Sequence, residues 1–145
     1  MSMKELQQEI ISNMKSWQKV ENSTVSLTGQ IMEKTENPIV RLVMEIIQRD
    51  SQMHYLVQQW VADSLERETI TLTPEELGEV WDLVERHVEL EKQSVAIAER
   101  ALSLLKGRSM VIQNYLLNYL LEDEKKHNNL LNSLDSIKKK MYPYG

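Results

Sequence analysis

Apolar residues return every three or four positions along almost the whole chain, and the pattern breaks at only three places. That period belongs to the α-helix, whereas a strand face repeats every two residues. The first stripe runs Leu6, Ile10, Met14, Trp17, Glu21, Thr24, Thr28, Ile31. Asn37-Pro38 interrupts it, with an Asn suited to the N-cap and a Pro suited to the first helical position. The second stripe is Val43, Ile47, Asp50 or Ser51, His54, Val57, Val61. The β-branched-rich run Thr69-Ile70-Thr71-Leu72 then disfavours helix, and Thr73-Pro74-Glu75-Glu76 reads as a capping box. The third stripe is Leu77, Val80, Trp81, Val84, His87, Glu91, Val95, Ala98, Leu102, Leu105. Gly107 suits a C-cap and Ser109 an N-cap for the fourth, which carries Leu116, Leu120, Glu124, His127, Leu131, Leu134. Helices are therefore expected near residues 3–35, 38–67, 74–106 and 109–140.

Four helices of about 30 residues, each roughly 45 Å long, with short connections predict an all-α fold: an antiparallel four-helix bundle. The 145 residues suffice for one domain, 1–145, with no visible linker. With 4 Gly and 3 Pro, a turn-rich β fold is disfavoured. The absence of Cys excludes disulfides, thiolate metal sites and a Cys nucleophile. A net charge of −5 argues against a nucleic-acid partner. No apolar run approaches the roughly 20 residues of a membrane span. The N-terminal residues are polar and lack the apolar centre of a secretion signal, so a cytoplasmic location is expected.

The informative residues are those that interrupt the stripes. Glu21, Asp50 or Ser51, His54, His87, Glu91, Glu124 and His127 stand at core positions, and the chain's 3 His are all among them. Burying such groups alone costs several kcal/mol, so they are expected to bind one another or a metal. Their spacing supports a common level. Glu21 lies 16 residues before Asn37 and His54 lies 17 after it. Glu91 lies 16 before Gly107 and Glu124 lies 17 after it, while His87 and His127 are each 20 away. In an antiparallel pair, residues equidistant from the turn face each other. Glu124-Lys125-Lys126-His127 places a carboxylate and an imidazole about 60° apart on one helix, and His87 with Glu91 about 40° apart, so both pairs can reach one ion. Mixed oxygen and nitrogen ligands suit Fe, Mn or Zn rather than Ca or Mg. The halves also resemble each other: Asp50-Ser51-Gln52-Met53-His54 aligns with Asp123-Glu124-Lys125-Lys126-His127.

These residues resemble the ferritin-like superfamily, and within it short rubrerythrin-like proteins, over essentially the whole chain. The family pattern is Glu, Glu-x-x-His, Glu, Glu-x-x-His on successive helices. Leu120-Leu121-Glu122-Asp123-Glu124-Lys125-Lys126-His127 looks like its fourth-helix motif, and Glu21 and Glu91 stand where its first and third carboxylates would. The resemblance implies a ferritin-like bundle with one or two ions per chain, Fe or alternatively Mn or Zn. It implies redox chemistry: oxidation of ferrous iron, or reduction of dioxygen or peroxide. Without Cys there is no rubredoxin centre, so electrons would come from a separate donor protein. Two departures matter. Ser51 stands where the second helix should offer Glu, with Asp50, one residue off, as an alternative ligand. His87 has no counterpart in the first hairpin, where Trp17 stands. The expected ligand set is Glu21, His54, His87, Glu91, Glu124 and His127. Its three carboxylates leave two divalent ions incompletely neutralised, so the second should bind more weakly. The competing reading is a metal-free bundle whose polar groups hydrogen-bond to one another and fix helix register. Met53, Tyr55, Leu56 and Trp60 form a second apolar face on helix 2, which predicts a homodimer.

Overall fold

The structure is a computed structural model that describes residues 1–67 and 69–142. Four helices account for nearly all of them, and no strand occurs among the described residues. They are α1 (Met3–Lys34), α2 (Pro38–Glu66), α3 (Pro74–Leu104) and α4 (Val111–Met141). Three of them start where a side chain satisfies free N–H groups. The Asn37 side chain accepts from the N–H groups of Ile39 and Val40, with Pro38 as the first residue of α2. Thr73 and Glu76 form the expected capping box, and Ser2 and Glu5 form a second one that opens α1. Helix α4 differs from expectation: its N-cap is Met110, not Ser109, and no side chain caps it. The reason is the preceding turn. Gly107 takes a left-handed φ of 73°, Arg108 N–H bonds to the Leu105 carbonyl, and the chain needs one more residue before it can wind again.

The chain divides into two helical hairpins, Met1–Ile70 and Thr71–Gly145, each described by itself. In the first, α1 and α2 run antiparallel. Gln18 Nε2 donates to the Tyr55 carbonyl at 3.2 Å and to Gln59 Oε1 at 3.0 Å, while nearer the turn Gln48 Nε2 donates to the Val25 carbonyl at 3.2 Å. The buried residues of this seam are Gln18, Glu21 and Thr28 from α1 and Ser51, Gln58 and Ala62 from α2. Small or amide side chains let two helices approach closely; the amide nitrogens of Gln18, Gln48 and Gln58 find acceptors across the gap, while Gln58 Oε1 is buried without a partner. In the second hairpin the buried set is Leu77, Glu91 and Ala98 from α3 and Leu121 from α4. Glu21 and Thr28, Ser51 and Gln58, and Glu91 and Ala98 are each seven residues apart, the spacing of a narrow helix–helix seam.

A narrow seam leaves much of each apolar stripe uncovered. Leu6, Trp17, Ile47, Val57, Val61, Val80 and Leu120, read above as core positions, are exposed. On α3, Leu83, Leu90, Ile97 and Leu104 recur at seven-residue intervals and are exposed as well. An apolar stripe about 100° wide serves two neighbouring helices, and a single hairpin mate covers only part of it.

Candidate metal centre

The second hairpin gathers four of the expected residues at one level. From α3, His87 and Glu91 stand one turn apart, with His87 Nε2 2.9 Å from Glu91 Oε1. From α4, His127 Nδ1 lies 3.5 Å from Glu91 Oε1 and 4.0 Å from Glu124 Oε2. Ligand atoms of Glu91, Glu124 and His127 all fall within 4.8 Å of one another, a separation one ion can bridge. Equal distance from the turn put Glu91 and Glu124 at a common height, and the i, i+3 step put Glu124 and His127 on one face.

The electrostatics of this cluster are those of a site short of positive charge. The Glu91 side chain is 7% exposed, and its Oε2 is buried without a hydrogen-bond donor. The neighbouring Glu124 carboxyl is held above the usual carboxylate range, first by its hydrogen bond with Glu91, then by burial and by the charge of Glu91. Glu91 is held below that range, first by the same hydrogen bond with Glu124 and also by His127 and His87, against the opposing effect of burial. The two shifts push the carboxyl titrations apart, so between them the pair holds one proton.

One residue here was not expected from sequence. Asp123 Oδ2 lies 3.3 Å from His127 Nε2. A carboxylate near that nitrogen favours a proton there, while Nδ1 faces Glu91 and Glu124. The only sequence signal was the four-residue spacing from Asp123 to His127, which Asp50 and His54 repeat.

The first hairpin holds the remaining pair. Glu21, 8% exposed at its side chain, lies 3.6 Å from His54 Nδ1 and accepts a long hydrogen bond of 3.4 Å from Gln58 Nε2. Ser51 is buried one turn from His54. Asp50 is exposed and makes no ion pair with His54. Gln58, in the seam beside Glu21, did not figure among the sequence candidates, since glutamine at a helical period reads as surface. Each hairpin thus carries one buried glutamate met by an imidazole from its mate, and only the second adds another carboxylate. No protein-family model, no curated protein and no solved structure matches this chain.

Proposed function

We propose that the chain is a metal-binding helical protein whose primary centre is the Glu91, Glu124, His127 cluster, with His87 as a fourth ligand. The observation that carries this reading is the pair of adjacent carboxylates, one buried and short of a donor, converging with an imidazole oriented by Asp123. Such a set is poorly satisfied by itself and well satisfied by a divalent transition ion. Iron is the favoured ion, with Mn or Zn as alternatives.

The finer architecture proposed is an antiparallel four-helix bundle in which the Glu21–His54 pair joins this centre as a second, weaker half. The connection between α2 and α3 is residues 67–73. At about 3.6 Å per residue it cannot run the length of a helix roughly 45 Å long, which favours up-down-up-down order over a crossover. In that order the levels agree: His54 lies 12 residues before the end of α2, and His87 lies 13 after the start of α3. The exposed apolar stripes supply the surface to be buried.

With iron bound, a carboxylate and imidazole set of this kind supports oxidation of ferrous iron or reduction of dioxygen or peroxide, with electrons from a separate donor protein. The protein's own groups would hold the ion and exclude water on the buried Glu91 side. A metal-free reading draws on the first hairpin, where Gln58 and His54 already satisfy Glu21. The deciding measurement is a metal count per chain with element identification, for wild type and His127→Ala. Stoichiometric Fe, Mn or Zn in the wild type that disappears in the variant supports the proposal. A wild-type chain that takes up none of them at neutral pH, with its melting temperature unmoved by excess metal, overturns it.

A further inference from the structure

We propose that the back of α2 is a homodimer interface, on which a second copy packs its own α2 antiparallel about a two-fold axis at Leu56. The metal centre plays no part in this. Ser51, Gln58 and Ala62 mark the side of α2 that faces α1. At about 100° per residue, Leu42, Met53, Leu56 and Trp60 lie roughly 140–180° from that side, so α1 cannot reach them. His54, Ile47 and Val61 lie only about 40–80° from it. A further helix in a bundle would sit on that flank, since neighbours in a square bundle are about 90° apart, and the back would stay bare. It is apolar: Leu42, Met53, Leu56 and Trp60 are 41%, 58%, 49% and 57% exposed.

Charge placement commits this face to a second copy of the same chain. On the same wheel Glu45, Arg49 and Asp63, with the C-cap Arg67, lie on one edge at about 120–160°, beside Leu56 and to one side of Leu42, Trp60 and Met53, with signs −, +, −, +. Arg49 and Asp63 stand seven residues to either side of Leu56, and Glu45 and Arg67 stand eleven. An antiparallel two-fold brings this edge against itself. Arg49 then meets the partner's Asp63, and Glu45 meets the partner's Arg67, each twice by symmetry. A parallel pair in the same register would turn this edge towards the partner's opposite edge and form neither pairing. Arg49 is bound only to Glu45, across 2.8 Å and with a 75% exposed side chain, so it is free to reach over. Trp60, Asp63, Arg67 and Ile70 line a shallow cavity of about 390 Å³, where a guanidinium finds an aromatic face and a carboxylate together. Rim ion pairs supply little affinity, so they set orientation and register while Met53, Leu56 and Trp60 supply the buried area.

The test uses the full chain in sedimentation velocity at micromolar concentration, with helicity followed by circular dichroism. Wild type should sediment as a dimer, twice the 17.0 kDa chain. Arg49→Asp and Asp63→Arg should each weaken the dimer about tenfold or more, and the two together should restore it, because the swapped charges again meet with opposite sign. The chain lacks Cys, so Leu56→Cys gives a clean cross-link: oxidation should yield a covalent dimer through the two-fold axis. That variant keeps the charges intact and reports on the face even where a charge reversal disturbs folding. A monomeric wild type overturns the proposal. So does a dimer indifferent to Arg49→Asp, or a Leu56→Cys chain that does not cross-link.

Discussion

His127 faces two ways, and that decides what the cluster around it can do. Its Nε2 is tied to Asp123 while Nδ1 turns to Glu91 and Glu124. Asp123→Asn should leave the helix intact and lower metal affinity by about 10- to 100-fold, measured by titration with Zn²⁺ or Mn²⁺, because the amide no longer holds the imidazole's proton on the far nitrogen. The carboxyl pair adds a pH dependence whose sign follows from its two shifts. Glu124 is raised, so its contribution to stability is present at low pH and is lost as pH rises through its elevated titration. Glu91 is lowered, so its contribution is present above the ordinary carboxylate range and is lost as pH falls through its depressed titration. The metal-free pair is thus most stable between the two, with one proton shared. An ion bound by both carboxylates must displace that proton, so affinity should climb as pH rises through the Glu124 titration. Glu124→Gln imitates the protonated acid. Its metal-free stability should no longer fall as pH rises through the Glu124 titration, while binding falls and this limb of the pH profile disappears. A variant that binds as tightly as wild type would remove Glu124 from the ligand set.

Each helix can be stabilised or weakened at its ends without touching the site. Gly78 lies inside α3, and a Cβ added there meets nothing within 4 Å. Gly78→Ala should raise stability by about 0.5–1 kcal/mol in chemical denaturation. Met110 begins α4 with no side-chain cap, so Met110→Ser should add about 1 kcal/mol, whereas Asn37→Ala should remove a similar amount from α2. These boundaries were legible because caps are local: Asn37-Pro38 and Thr73-Pro74-Glu75-Glu76 act within one turn. The levels of Glu21 against His54 and of Glu91 against Glu124 were legible too, since a hairpin's turn and the helical rise fix them. The rotation of each helix was not. Residues 17 and 18 differ by about 100°, and only packing decides that Gln18 enters the seam while Trp17 stays outside. For the same reason Gln58 and Asp123 were missed. Their importance comes from what lies across from them, and a single helical period carries no record of that.

At the scale of the whole molecule, each hairpin carries a buried glutamate beside an imidazole on a helix pair with uncovered apolar stripes. No described helix is long and apolar enough to cross a membrane, so those stripes are not accounted for by a lipid span. In the first hairpin Trp17, Val20 and Leu27 of α1 are exposed, and in the second Leu83, Leu90 and Ile97 of α3 are exposed. Coupling between the hairpins is measurable. His54 is not within the Glu91, Glu124, His127 group, so if the hairpins act separately, His54→Ala should leave metal binding there unchanged. If they close as proposed, His54→Ala or Glu21→Ala should lower the number of ions per chain from two towards one. The rise in melting temperature with added metal should also shrink. A ligand at about 100 times its dissociation constant stabilises by about 2.7 kcal/mol per site, so losing one of two sites is within reach of calorimetry. His127→Ala serves as the reference, because it should remove the stronger site in either arrangement. Equal stoichiometry and equal thermal shift for His54→Ala and wild type would confine metal binding to the second hairpin and leave Glu21 and His54 as a structural pair.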